Sequence, residues 1–435
     1  MFNKKFMRDK NYLLLFFGNL VSGVGSRVYG FGISLFLLDL TGQASSTAIY
    51  VAVWSVIMFV VGPIAATFTD RWNNKPRVLY VTDYGRALFY LLSATGVTIF
   101  LSLGNTTMVL VTIYTALIFI ASQTAFFHPT VSAIIPRIVD KDELVSASSI
   151  MQITGSIQNI AGLLFGAVLY LNFGIVALMV INAVSFVLSA ISEMFIKIDG
   201  MHDKVEQTET PSLRNISKRV YADLKGALEY LLHSGKPVLM VTVIILISAT
   251  LVSPWFTIGV PYMFKEYFTF QNVQADYLLA STQFVESVGV ILMSLVVAQI
   301  ASRFKIYQLF RLGGSLFFAI GVLYFMVIRA FDTDVITSNA FIFAYIAINF
   351  FAGMVNATIN APLNASLQKY IEPSKIGKIS MLINSFGGVL FPLTALAAGY
   401  MIDHYSMYFP MLVMVGAMLL MTIISFQSKE LQKLA

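Results

Sequence analysis

No cysteine occurs among the 435 residues of this chain. That excludes a disulfide framework, a thiol nucleophile and any thiolate metal site, while leaving the compartment open. Charge is scarce as well: Asp, Glu, Lys and Arg make up 11% of the residues against 57% hydrophobic, and the mean hydropathy is +0.79. A soluble core cannot enclose that much apolar surface, so lipid must act as part of the solvent. No Gly-Lys-Ser/Thr follows a strand pattern near Gly166, Gly174, Gly387 or Gly388, so ATP hydrolysis has no visible home. Nor does a Ser-His-acid or metal-ligand constellation stand out, and the reading is of a non-enzyme with no cofactor and no metal. The net charge of +6 does not mark a nucleic-acid partner, because the charges lie between apolar spans and form no aromatic-interleaved basic face.

What is abundant is apolar sequence in spanning lengths. At about 20 residues per crossing, such runs lie at 11–38, 46–69, 78–102, 106–128, 144–171 and 174–196, then at 237–263, 274–301, 306–328, 340–368, 377–402 and 407–426. They predict an all-α polytopic membrane protein of twelve transmembrane helices. The first run is too long for a signal-peptide core and lacks a small-residue cleavage site, so it is expected to persist as a helix.

Lys and Arg set the orientation. Of the 28 such residues, only Lys265 and Arg329 fall in the loops on one side, and only Arg27 and Arg86 fall inside helices. The rest lie at the termini and in the alternate loops, which predicts cytoplasmic termini. Between the sixth and seventh runs the chain turns polar from Asp199 to Thr210. Ile216, Val220, Leu224, Leu228 and Leu231 then recur on one helical face, a pattern for an amphipathic helix on the cytoplasmic membrane surface. The expected organisation is a six-helix bundle over 1–197, a linker over 198–236 and a second six-helix bundle over 237–435. The halves also echo one another: aligning Pro129 with Pro362 brings Gly155 onto Gly388 and Gly166 onto Gly399. A register one residue shorter sets Asp70-Arg71 over Ser302-Arg303, keeping the base and losing the acid.

The stretch GPIAATFTDRWNNKPR, Gly62 to Arg77, gathers charge where an apolar run stops: Asp70 and Arg71, an Asn73-Asn74 turn, then Lys75 and Arg77, with Pro76 placed to open the next helix. This resembles the loop between helices 2 and 3 of the major facilitator superfamily. Ala66 stands where many members carry glycine, and Asn74 takes a usually basic position. LDLTGQASS after the first run, TDYGRA in the third and FFHPTVSAIIPRIVDKDELVSASSI across the fourth and fifth are similar to the bacterial drug-exporter branch that includes macrolide efflux pumps and the enterobactin exporter. The resemblance implies the major facilitator fold in the bacterial cytoplasmic membrane and export by alternating access, driven by proton entry. Its implied cargo is a hydrophobic or amphipathic small molecule carried by a monomer in the bilayer. A siderophore or lysophospholipid exporter is the alternative, and a membrane-embedded lipid enzyme a more distant one.

Several residues are candidates for the mechanism. Glu286, in STQFVESVGVILMSL, lies mid-span. A carboxylate there costs about 2.5–3.5 kcal/mol to insert and must face a cavity, find a partner or hold a proton, which makes it the candidate proton-coupling group. Arg27, in SGVGSRVYGFG, is similarly deep among small residues; it is a poor proton carrier but suited to pair with Glu286 or attract an anion. Asp83 and Arg86 share a helical face and, with Asp70, Arg71, Lys75 and Arg77, form a candidate gating network. Trp54, Phe126, Phe127, Trp255 and Phe256, together with Arg27 and Glu286, are candidates to line a substrate cavity; packing in lipid is the plain alternative in a chain with 36 Phe. His128 precedes Pro129 and is expected to bond a freed carbonyl. Glu193 and Lys197 are spaced as an i,i+4 pair and read as an anchor. Asp39 and Asp403 fall at outer helix ends, where water makes them cheap.

Overall fold

The computed structural model describes residues 8–198 apart from 73 and 141–142, and residues 225–433 apart from 227, 234, 269–272, 302–304 and 371–372. Among the described residues regular structure is helical throughout, as lipid requires when every backbone N–H and C=O must be satisfied within its own segment. The helices are α1 (Lys10–Thr41), α2 (Ala44–Arg71), α3 (Lys75–Ser102), α4 (Thr106–Ile138), α5 (Leu144–Met194), α6 (Lys236–Phe268), α7 (Val273–Ala301), α8 (Ile306–Asp332), α9 (Ser338–Tyr370), α10 (Pro373–His404) and α11 (Tyr408–Gln427). All 11 contain a stretch long and apolar enough to span a membrane. Among the described residues the twelve expected runs thus appear as eleven helices, with the fifth and sixth joined in α5 across a break at Gly174, whose φ of 73° and ψ of 176° are not helical. Only glycine takes that conformation cheaply, and it divides α5 into two arms.

Local chemistry sets the ends. The Asp9 carboxylate accepts from the Tyr12 N–H at 2.9 Å and starts α1, while Gly42, at φ 67°, closes it through its N–H to the Leu38 carbonyl. Asn74 caps α3 and Pro76 stands in the first turn of that helix, as the sequence suggests. Asn105 caps α4. Helix α6 carries two π-helical stretches, Ser248–Val252 and Trp255–Gly259. Each ends two residues before a proline, Pro254 and Pro261, which lacks the N–H needed by the carbonyl four residues earlier.

The chain forms two compact units, Met1–Gly42 with Val53–Arg219, and Gln43–Ala52 with Val220–Ala435. In the first, α1 packs along both arms of α5. A Cβ on Gly25 would come within 2.4 Å of Ser185 Oγ, and one on Gly162 within 2.5 Å of Arg27 Cβ. Small residues at these crossings let the backbones meet, which is where helix association in lipid draws its packing energy. In the second unit α7 and α9 cross more tightly still. A Cβ on Gly353 would lie 2.0 Å from the Glu286 carbonyl oxygen, and one on Gly289 would lie 2.2 Å from that of Phe350.

The start of α2, as far as Ala52, groups with the second unit. Its Ala44 and Ser45 N–H groups donate to the Asp403 carboxylate of α10 at 2.8 and 2.9 Å, and Ala44 and Ala48 pack with Ile258, Ala395 and Ile402. Asp403 is therefore a helix cap rather than simply a solvated acid, and Asp39 likewise accepts from the Tyr170 hydroxyl at 2.6 Å. The two bases expected on the sparsely charged side are each paired, Lys265 with Asp276 at 2.9 Å and Arg329 with Asp332 at 3.2 Å. Most of the expected amphipathic segment, residues 199–224, lies outside the described residues. Of its remainder, Leu231 is buried against Val238, Ile379 and Leu382, while Leu228 is exposed.

Candidate functional site

Among the described residues, each helical unit encloses ionisable side chains. In the first unit Asp83 and Arg86 of α3 do form an ion pair, as their spacing suggests. What surrounds them was not legible. The Arg86 guanidinium lies between two aromatic faces, 4.4 Å from the Phe127 ring centroid on α4 and 4.3 Å from that of Phe186 on the second arm of α5. Desolvated cation–π contacts of this kind contribute about 2 kcal/mol. Phe127, a candidate cavity residue, is buried here as one jaw of that clamp. Glu193, the penultimate residue of the same arm, completes the group. It is fully buried, and its Oε1 lies 3.4 Å from the Ser189 hydroxyl, which donates to it. The expected Glu193–Lys197 anchor does not form: Lys197 is exposed, and its backbone N–H donates to Asn11 Oδ1.

In the second unit Glu286 sits at the α7–α9 crossing, half-buried, one turn before Gly289. No ion pair to it is formed among the described residues. It lies near the Tyr324 and Tyr345 hydroxyls, whose rings are 5.2 Å apart. Phe256 meets Tyr324 edge-on at 5.8 Å. Trp255, from the second π-helical stretch of α6, is fully buried. Its indole N–H and both tyrosine hydroxyls find no well-formed hydrogen bond among the described residues. Trp255 and Phe256 thus share an element with π geometry and lie in the unit that holds Glu286, whereas Phe126, Phe127, Trp54 and Arg27 belong to the other. Sequence reading missed Tyr324 and Tyr345; their polar tips inside apolar runs were the available signal.

The remaining candidates are dispersed. Arg27 is exposed on α1, its Cβ facing Gly162. Trp54 is half-buried on α2, and Phe126 is half-buried with its ring 6.5 Å from that of Trp72. Asp70 and Arg71 occupy the last turn of α2, and their side chains lie outside the described residues. Lys75 is buried, 2% exposed, and its ammonium donates to the Thr69 carbonyl at 2.7 Å, so it caps the end of α2, while Arg77 is exposed. His128 is exposed on α4 beside Phe127.

A family model described as Major Facilitator Superfamily matches residues 15–393. The chain belongs to that superfamily. Superfamily members are secondary transporters, and the chain is accordingly a multi-pass membrane transporter rather than an enzyme. A relative from Bacillus subtilis (strain 168), the uncharacterized MFS-type transporter YkuC, is 27% identical over 185 residues, 42% of this chain; the match spans only 41% of that relative's length. Among solved structures, the nucleoside transporter NupG superposes with a TM-score of 0.70 at 12% identity, covering 96% of this chain and 100% of NupG. A bacterial homologue of the iron transporter ferroportin, in its inward-facing state, gives 0.67 at 12% identity over 98% and 99%. At such identities the likeness is one of fold: the major facilitator fold.

Proposed function

We propose that this transporter is a proton-coupled exporter of hydrophobic or amphipathic small molecules. It works by alternating access in the bacterial cytoplasmic membrane, as a monomer with both termini in the cytoplasm. The moving parts are the six-helix bundles 1–197 and 237–435, joined by the segment 198–236. Supporting the orientation is the distribution of Lys and Arg, with only Lys265 and Arg329 on the opposite side. Direction and cargo class rest on the resemblance to bacterial drug exporters.

The observation that carries the coupling assignment is Glu286. A half-buried mid-span acid with no ion-pair partner among the described residues must be neutralised by a proton or by a bound cation, and exchange between the two couples their movements. Substrate contacts are assigned to Arg27, Trp54, Phe126, Trp255, Phe256 and Glu286, while Phe127 is left to the Arg86 guanidinium. In this reading Asp70, Arg71, Lys75, Arg77, Asp83 and Arg86 control the cytoplasmic closure.

The test is transport into proteoliposomes under an imposed pH gradient. Glu286→Gln preserves shape and removes titration, so gradient-driven accumulation is expected to be abolished while binding or exchange persists. Accumulation against the gradient at the wild-type rate, with expression matched, would remove the assignment. The same vesicles, offered macrolide-like drugs, siderophores and lysophospholipids, distinguish the cargo classes.

A further inference from the structure

We propose that Asp83 and Glu193 together form a one-proton binding site inside the amino-terminal unit, separate from Glu286. Two carboxylates and one guanidinium meet there with almost no solvent: Asp83 and Glu193 are each 0% exposed and Arg86 is 5% exposed. The hydroxyl of Ser189, 3.4 Å from Glu193 Oε1, is also close enough to Asp83 to bond it. Arg86 neutralises one carboxylate and is fixed by its two aromatic faces. The second carboxylate is then an uncompensated charge in a low-dielectric interior, which proteins do not sustain.

Two buried oxygens, Asp83 Oδ2 and Glu193 Oε2, have no hydrogen-bond partner among the described residues. A proton on either turns one carboxylate into a carboxylic acid, supplies an O–H donor, and brings the group to neutrality; release returns that proton to water.

Other charges around the group do not substitute for the proton. From α1, the neighbours of Ser189 and of the α5 arm are Gly18 and Gly25, and the Ser22 hydroxyl is spent on the Gly18 carbonyl. From α4 come Phe127 and, beyond it, His128, which is exposed on that helix. On α3, Lys75 is committed to the end of α2. On α5, Lys197 is exposed beyond the helix end. The inference does not depend on export, cargo or the role of Glu286.

Infrared difference spectroscopy of the purified full-length chain, recorded between mildly acidic and alkaline buffer, reads this site without any transport assay. The expected result is a protonated-carboxyl C=O band that gives way to carboxylate bands on alkalinisation. The band should be lost in Glu193→Gln and in Asp83→Asn, each of which leaves one carboxylate for Arg86, and still be present in Glu286→Gln. Glu193→Gln replaces a neutral acid by a neutral amide of the same shape and decides the matter alone if Asp83→Asn does not fold. A band unchanged in Glu193→Gln overturns the proposal, as does a wild-type spectrum without one. Loss of the wild-type band on adding sodium at constant pH would mean that the site takes a metal cation in place of a proton, which also overturns it. If proton-driven accumulation fails in the wild type while the band behaves as expected, the exporter reading falls and the proton site stands.

Discussion

The interiors of the two units solve the same problem, ionisable groups among helices in lipid, by opposite means. In the first, three ionisable side chains are concentrated: Arg86 pairs with Asp83, Glu193 is buried in the same group, and Phe127 and Phe186 cover the guanidinium. In the second, Glu286 has no ion-pair partner among the described residues and is set beside aromatic packing in which Phe264, Phe341, Tyr345 and Tyr324 follow one another ring against ring. A clustered set can be sealed because opposite charge compensates desolvation. A lone acid cannot, and Glu286 accordingly keeps part of its surface open where Asp83 and Glu193 keep none. Sealing makes charge structural as well as titratable, whereas a lone accessible carboxylate is free to exchange its partner.

The sharpest way to break this comparison is to remove the cation from the sealed group. Arg86→Met leaves two buried carboxylates facing each other and is expected to cost about 3–5 kcal/mol, the range for stranding one side of a buried ion pair. Glu286→Gln strands nothing and should stay within about 1 kcal/mol. Thermal unfolding in detergent at matched pH measures both, and equal losses would erase the distinction between the units.

Next in size is the α7–α9 crossing that fixes Glu286. Gly353→Ala would place a methyl 2.0 Å from the Glu286 carbonyl oxygen. Backbone must move to admit it, at about 1–3 kcal/mol. Gly387→Ala is the control, because a Cβ there meets nothing within 4 Å. A Gly353→Ala protein as stable as the control would show that the crossing is looser than its geometry.

The smallest expected effect concerns the start of α2. Asp403→Ala removes the carboxylate that accepts from Ala44 and Ser45 and should cost about 1 kcal/mol, as for other lost N-caps. Hydrogen exchange at those two amides should accelerate while the amides of α3 do not change. Unchanged protection at Ala44 and Ser45 would show that water replaces Asp403 at no cost.

The number and placement of spanning helices follow from sequence because a bilayer demands about 20 apolar residues per crossing, and each expected run coincides with helix to within two residues at its ends. The α3 start was equally legible, since Asn74 and Pro76 act within one turn of where they stand. So was the Asp83–Arg86 pairing, a contact between neighbours on one helix. Helix facing was not. In lipid an apolar side chain is as well placed outward as inward, so the hydrophobic periodicity that reveals a buried face in a soluble protein is largely absent. Glu193 shows the consequence: local spacing offered it Lys197, but the turn of the α5 arm gives it to Asp83 and Arg86, more than a hundred residues earlier in the chain. Gly353 opposite Glu286 and Asp403 over the first turn of α2 are of the same kind. Sequence alone decided which residues enter the membrane, because the solvent tests each segment separately. Tertiary structure alone decided which polar groups meet there, because that depends on how helices rotate and cross against one another.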